Sequence, residues 1–295
     1  VGNVTGDRIL IFNRLDYGNV APVREISGAN TTLSRCPGVD IDNEYLYVTN
    51  DFAQSILIFD KGGDGDIAPL RTISGGNTQM VCPHGITVDD SFIYIGDRDG
   101  ARILVYPIDG NGNITPARMI AGTNTGLAGP HGLEVNQDYL YVANAHNHSI
   151  YIFNRDANGD VAPLRTISGV QTGLNYPIGI AIDTEYIYVS NLNGNSITVY
   201  PLNGNGNITP VQNISGGNTG LSQPHQLAFV KEAGYTISGN AGVGGAVLSY
   251  TDGEAKTCTA DGSGGYSFRV SMGWSGTVTP ALNCYTFTPA YTDYT

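Results

Sequence analysis

The sequence predicts an all-β fold assembled from one repeated unit of 47 residues, and three observations predict it. The first is an isoleucine that recurs every 47 positions, at Ile9, Ile56, Ile103, Ile150 and Ile197. The second is that each unit holds four apolar runs of strand length, rich in Val, Ile, Tyr and Phe. The third is a turn glycine with the same spacing, at Gly18, Gly65, Gly112, Gly159 and Gly206.

The unit from Gly132 to Gly169 shows the pattern most clearly. Its four runs are Leu133–Val135, Tyr139–Ala143, Ile150–Phe153 and Leu164–Ile167. Such a four-stranded meander cannot bury both of its faces alone, so it needs neighbours of the same kind. A ring of about five four-stranded blades, a β-propeller, meets this need. A parallel β-helix or an immunoglobulin array would require a different repeat length.

The ends of the repeat region predict how the ring closes. Residues 1–3 match the end of a second strand, and residues 225–230 match a first strand, so we expect both termini to build one blade. We also expect native residues before Val1, and a sixth upstream blade stays open. The predicted domains are a propeller at 1–230 and a small Ig-like β-sandwich at 231–295, without its last strand.

The repeat resembles the NHL-repeat propellers. The resemblance is carried by Gly-Ile-Ala-Ile-Asp at 179–183, Tyr-Ile-Tyr-Val-Ser-Asn at 186–191 and Ser-Ile-Thr-Val-Tyr at 196–200. The segments at 68–75 and 162–169 are similar to a bacterial subgroup. That family contains enzymes, receptors and RNA binders, so the resemblance implies a fold rather than an activity. Residues 235–295 resemble Ig-like or carboxypeptidase-regulatory-like modules of bacterial surface proteins, which implies a spacer or adhesion role.

Composition limits the partners. The chain has 14 basic and 26 acidic residues and a formal net charge of −12, which argues against nucleic acid, because phosphate binding depends on Lys and Arg. No apolar stretch approaches membrane-spanning length, so we predict no membrane span. The abundance of Tyr and Asn and the scarcity of Lys favour an extracellular or cell-surface location.

Four cysteines are divided equally between the two predicted domains, and they are Cys36, Cys82, Cys258 and Cys284. None has metal-binding spacing. Cys36 and Cys82 precede the first strands of adjacent blades, so we predict one disulfide between blades and a second, Cys258–Cys284, in the sandwich. Separate buried thiols are the alternative.

Histidines recur at the position that precedes the first strand of a blade. In register, the five residues there are Pro37, His84, His131, Ile178 and His225. Neutral imidazoles that converge on an axis could bind a divalent metal such as zinc, and structural hydrogen bonding is the alternative. The hairpins at 60–66 and 156–160 resemble fragments of a calcium loop, although the turn itself demands their Asn, Asp and Gly residues.

The loop after the second strand carries one polar residue per blade, at Asn3, Asn50, Asp97, Asn144 and Asn191. We interpret these residues as a polar ring around a shallow ligand pocket, completed by His146, His148, Asp99 and Arg102. The alternative is that their side chains cap the loop ends.

The sequence holds no recognisable catalytic motif, so it predicts a protein without enzymatic activity and without a firmly implied cofactor. We expect a secreted structural or interaction protein that displays the propeller to a protein or glycan partner. The sandwich would serve as a spacer, or as a self-assembly edge in an extracellular fibre. The alternative hypothesis is a metal-dependent propeller enzyme of lyase or lactonase type, with its site at the channel mouth.

Overall fold

The computed structural model describes residues 2–3, 6–13, 18–227, 235–270 and 274–294. The chain divides into two compact units, Val1–Phe229 and Val230–Thr295. Strands dominate the described residues, and helix occurs there only as single 3-10 turns. None of these helical turns is long or apolar enough to cross a membrane. The predicted all-β fold is confirmed.

The first unit consists of antiparallel sheets that follow one another along the chain, and we number them as blades one to five. Blade one contains β1 (Gly2–Asn3), β2 (Arg8–Ile11) and β3 (Arg24–Ser27). Blade two contains β4 (Val39–Ile41), β5 (Tyr45–Asn50), β6 (Ser55–Asp60) and β7 (Arg71–Ser74). Blade three contains β8 (Pro83–Val88), β9 (Phe92–Asp97), β10 (Arg102–Pro107) and β11 (Arg118–Ile120). Blade four contains β12 (Pro130–Val135), β13 (Tyr139–Asn144), β14 (Ser149–Asn154) and β15 (Arg165–Ile167). Blade five contains β16 (Pro177–Ile182), β17 (Tyr186–Asn191), β18 (Ser196–Pro201) and β19 (Gln212–Ser215).

Turn chemistry and alternation explain why these segments form blades. The hairpin between β14 and β15 holds Gly159 at φ 80°, a left-handed conformation that glycine adopts without steric cost. Across β13 and β14, Ala143 faces Ile150 and Tyr141 faces Ile152, so apolar residues meet on one face. The four strands predicted between Gly132 and Gly169 are therefore confirmed.

The hydrophobic core lies between blades rather than within one. Ile152 and Ile167 of blade four are fully buried in one cluster with Ile180 and Ile187 of blade five. Comparable clusters join the other neighbouring blades. Burying one such side chain contributes about 1.5–3 kcal/mol. The first strands also contact one another, β8 with β12 and β12 with β16, which arranges them around a common axis.

The outer edges of the blades are joined by a repeated junction. Gly112 in the hairpin of blade three donates its N–H to Thr72 O of blade two at 2.7 Å. Arg71 donates to Ile108 O at 2.8 Å and to Gly110 O at 3.2 Å. Isolated bridges repeat this contact at four successive junctions. At the corresponding position blade five has Gln212 instead of arginine, and β19 is exposed along its whole length.

The predicted closure of the ring stays a prediction. The segment that would supply the missing strand of blade one is 225–230, and its residues 228–230 lie outside the described residues. Residues 225–227 have no strand structure.

The second unit contains two small antiparallel sheets. One pairs β20 (Tyr235–Asn240) with β23 (Gly265–Val270). The other has the order β22 (Glu254–Thr259), β21 (Val247–Asp252), β24 (Gly276–Ala281) and β25 (Thr292–Tyr294). Both sheets contribute to one core, in which Tyr250 stacks on Phe268 at 4.1 Å. The Ig-like assignment and the open assembly edge remain predictions.

The two predicted disulfides are absent, because all four cysteines are free thiols. The thiol of Cys82 donates to the Asp51 carboxylate at 2.7 Å, and that of Cys36 is directed at Arg8 O at 3.5 Å. The two buried thiols therefore have separate partners. In the second unit Cys258 is half-buried on β22, while Cys284 is exposed in the segment between β24 and β25.

Candidate functional site

The loops that precede the first strands are held in place by the preceding blade. His148 accepts the backbone N–H of Tyr176 on its Nδ1 atom at 2.8 Å. Asn195 accepts the N–H of Gln223 in the same way at 2.8 Å, and Asp7 accepts that of Arg35 at 2.6 Å. Each contact joins residues 28 positions apart. These caps fix the loops at one end of the propeller axis.

Three histidines come together at this end, as their positions in the repeat predict. The ring centroids of His84 and His131 are 4.3 Å apart, and those of His84 and His225 are 6.4 Å apart. His84 and His131 are each only 5% exposed, whereas His225 is exposed. We call His84, His131 and His225 the histidine cluster.

Burial keeps the two inner histidines neutral. It lowers the pKa of His84 well below the ordinary value, and the charges of His131 and Arg98 lower it further. Burial likewise lowers the pKa of His131 to about 3, with contributions from Arg98 and His146. At neutral pH both imidazoles are therefore uncharged, and each has a free lone pair on one ring nitrogen.

His131 is unusual among the buried polar residues. Neither its Nδ1 nor its Nε2 atom makes a hydrogen bond within the described protein. An unsatisfied buried polar group costs about 1–3 kcal/mol, so such a group needs a compensating role. Neither ring nitrogen of His131 is therefore used in a hydrogen bond that stabilises the fold.

Metal binding at the cluster stays a prediction. Among the described residues, no group of three or more His, Cys, Asp or Glu side chains is arranged to hold a metal ion. In the calcium-like hairpin, Asp64 accepts the N–H of Glu25 at 2.9 Å, and Asp66 accepts that of Asn30 at 2.8 Å. These carboxylates hold the junction between blades one and two.

The predicted polar ring is buried. Its members Asn50, Asp97, Asn144 and Asn191 are at most 1% exposed. Asn144 accepts the N–H of Ala128 at 2.6 Å, and Asp97 accepts the N–H groups of Val81 and Cys82. These side chains cap the loops, which is the alternative that the sequence left open. Of the associated residues, His146 is exposed beside His131, and His148 caps the loop of Tyr176.

Two arginines and one tyrosine complete the site. Arg98 forms a two-pronged ion pair with Asp99 at 2.7 and 2.9 Å. Arg35 lies 3.5 Å from the buried carboxylate of Asp51. The ring of Tyr176 lies 5.7 Å from that of His131. Sequence reasoning missed Arg35, Arg98 and Tyr176, although Arg35 and Tyr176 occupy equivalent positions two residues before the histidine position.

The comparison with protein families covers the residues of this candidate site. The family model described as lactonase, 7-bladed beta-propeller, matches residues 6–173 and 136–241. The chain belongs to this lactonase family. Its described residues form four four-stranded blades and one three-stranded blade. The prediction that the protein has no enzymatic activity is therefore wrong, because membership in a lactonase family points to a hydrolase-type propeller. The sequence contains no short catalytic motif. Catalytic residues that come from different blades would not form one, so the absence of a motif does not exclude enzymatic activity.

Solved structures resemble the lactonase-family chain in fold. A nidogen/laminin complex matches with a TM-score of 0.52 and 20% identity, over 67% of this chain and 69% of the other. A protein of unknown function from Desulfotomaculum acetoxidans DSM 771 matches with a TM-score of 0.50 and 16% identity, over 90% and 76%. A computationally designed protein, Ika8, matches with a TM-score of 0.47 and 10% identity, over 84% of this chain and 62% of the designed one. The present chain thus spans less than two thirds of the length of Ika8. No curated protein sequence matches. The likenesses to the nidogen/laminin complex and to the Desulfotomaculum protein support the β-propeller fold, while the NHL type stays a prediction.

Proposed function

We propose that this lactonase-family chain hydrolyses a cyclic ester at the histidine cluster. The observation that carries the proposal is the pair of unpartnered ring nitrogens of His131, buried within residues 6–173, which the lactonase family model matches. A general base must be uncharged and must have a nitrogen without a hydrogen-bond partner, and His131 meets both conditions, although its pKa of about 3 makes it a weak base at neutral pH.

The reaction needs one proton acceptor and one source of positive potential. His131 takes a proton from water while the water oxygen bonds to the lactone carbonyl carbon. The tetrahedral intermediate then collapses, the ring C–O bond breaks, and the proton passes from His131 to the leaving alkoxide. Each turnover consumes one lactone and one water molecule and yields one hydroxy acid. His131 returns to its neutral form.

Arg98 supplies the positive potential. Burial is the main cause of the lowered pKa values of His84 and His131, and the charge of Arg98 lowers both further. The two hydrogen bonds to Asp99 hold the guanidinium in one orientation. A preorganised positive charge near the reacting carbonyl stabilises the oxyanion of the intermediate.

The experiment is a proton-release assay on γ-butyrolactone, δ-valerolactone, glucono-δ-lactone and dihydrocoumarin. We expect the wild type to hydrolyse at least one of them above the buffer rate. H131N should lower kcat by about 100-fold or more, because general-base catalysis contributes about 10²–10⁴-fold. V170N is the control, because Val170 is 96% exposed in a loop away from the cluster.

Two results would overturn the proposal. One is a wild type that hydrolyses none of the four lactones. The other is an H131N variant that keeps wild-type kcat while its fold, checked by circular dichroism, is intact.

A further inference from the structure

One residue per blade stands two positions before the histidine position, and its identity changes from blade to blade. These residues are Arg35, Cys82, Gly129, Tyr176 and Gln223, which we call the collar. They follow one another at the repeat distance of 47 positions. Four of the five share a left-handed backbone conformation and Cys82 does not, so the collar places different side chains at similar points around the axis.

Most of the collar has a backbone conformation that favours glycine. The φ angles are 53° at Arg35, 63° at Gly129, 56° at Tyr176 and 48° at Gln223. For residues with a Cβ atom, and for bulky ones above all, the left-handed region is strained. Gly129 shows that glycine suits this turn, so folding alone does not explain a tyrosine there.

Three other left-handed positions in the propeller have a structural explanation, whereas Ala101, with a φ of 48°, has no polar side chain that could provide one. The residues at Asp7, His148 and Asn195 also have positive φ, and each accepts a backbone N–H from a collar residue. Their side chains therefore stabilise the loops. The side chain of Tyr176 instead lies against the histidines, 5.7 Å from His131 and 5.7 Å from His146. Backbone strain that no stabilising hydrogen bond of the side chain offsets is typical of functional positions.

Tyr176 and His146 form one wall beside the histidine cluster. Their rings are tilted by 43°, and the ring of Tyr176 is half-buried. A Cβ atom at Gly129 would come within 2.8 Å of the His146 ring, so that ring occupies the place of a collar side chain. Aromatic rings bind flat ring faces in offset or edge-on contact at about 4.5–7 Å between centroids.

We infer that the collar selects the substrate, and that Tyr176 selects lactones with an aryl face, such as dihydrocoumarin, over saturated lactones of the same ring size. The substrate class rests on the proposed hydrolase function. The strained backbone of Tyr176 and its position against His131 carry the binding role itself.

Binding is tested without catalysis by 2-tetralone, a carbocyclic ketone that has the shape of dihydrocoumarin and no ester bond. Calorimetric titration should give a Kd about tenfold weaker for Y176G than for the wild type, which is about 1.4 kcal/mol. Y176F should bind as tightly as the wild type, since it keeps the ring, and V170N should not differ. Failure of 2-tetralone to bind the wild type, or equal binding to Y176G, would overturn the inference.

Hydrolysis gives a second readout. The ratio of kcat/KM for dihydrocoumarin to that for δ-valerolactone should fall about tenfold in Y176G, mainly through a higher KM for dihydrocoumarin. An unchanged ratio in an active variant contradicts the inference. If the wild type hydrolyses no lactone but binds 2-tetralone through Tyr176, the proposed function fails and the collar stands.

Thermal unfolding separates strain from packing. Y176A removes the ring and keeps the strained backbone, while Y176G removes both. We expect the Tm of Y176G to exceed that of Y176A by about 2–4 °C, as a relieved left-handed residue predicts for a unit of this size. A Tm of Y176G equal to or below that of Y176A would remove the strain argument.

Discussion

The two ends of each blade use polar side chains for opposite purposes. At the outer end, Asp160 accepts the N–H and the side-chain amide of Asn124, and Arg118 donates to Arg155 O. Polar groups there complete each other across a junction that recurs four times. At the inner end, His131 is buried without a partner. Together with Arg8 Nε and Asp51 Oδ2, the His131 nitrogens are the buried side-chain atoms of the described residues that have no hydrogen-bond partner, and His131 lies at the candidate site.

The largest expected effect breaks the packing between blades. Ile167 is fully buried between blades four and five, while its repeat equivalent Ile214 is 47% exposed. I167A should lower the free energy of unfolding by about 2–5 kcal/mol because it leaves a cavity. The matched variant I214A should cost below about 1 kcal/mol. Urea unfolding of the two variants measures the contrast, and equal losses would contradict the interblade core.

The next effect concerns acid stability. The unfolded chain binds protons on histidine near pH 6.5, whereas buried His131 binds them only near its folded pKa of about 3. Stability is therefore fully present above pH 6.5 and is lost as the pH falls toward 3. Between pH 7.5 and pH 5, His131 should account for a loss of about 2 kcal/mol.

The control for this effect is H131N, which has no titrating ring. Its unfolding free energy, measured by urea titration at both pH values, should decline about 2 kcal/mol less than that of the wild type. Parallel pH dependence in the two proteins would mean that His131 is not buried in its neutral form.

The smallest effect tests the outer junction. Arg165 donates to Leu202 O at 2.9 Å and to Gly204 O at 3.0 Å, and blade five has Gln212 in its place. R165Q should cost about 1 kcal/mol, because it removes hydrogen bonds from a half-buried arginine to backbone carbonyls. A Q212R variant serves as control and should change stability little, since β19 is exposed. Thermal unfolding compares the two substitutions.

The outer end could be predicted from sequence because its rules are local. A glycine in an Asn-Gly-Asp turn, such as Gly159, requires a positive φ whatever lies around it. The alternation around Ile150 likewise requires one buried face. The periodic histidines predicted that His84, His131 and His225 would meet, since equivalent residues of adjacent blades lie near one axis.

The open and the mistaken predictions have a common cause. Asn144 looked like a ligand contact because a polar residue after a strand can either cap a loop or face a pocket, and only its acceptance of Ala128 N–H distinguishes the two. The cysteines looked like a pair because spacing does not reveal the direction of a side chain, and Cys82 is directed at Asp51. The enzymatic activity to which the family match points was missed because the sequence contains no contiguous catalytic motif.

The sequence by itself determined the repeat length, the strands, the hairpins and the convergence of the histidines, since these follow from periodicity and local turn chemistry. Only the tertiary structure decided which polar groups form hydrogen bonds that stabilise the fold and which have no hydrogen-bond partner. That distinction depends on burial and on partners tens of residues away, as for Tyr176 N–H on His148 and for the unpartnered nitrogens of His131. The role of a side chain at the axis depends on the residues that surround it in space, and the sequence alone does not give these surroundings.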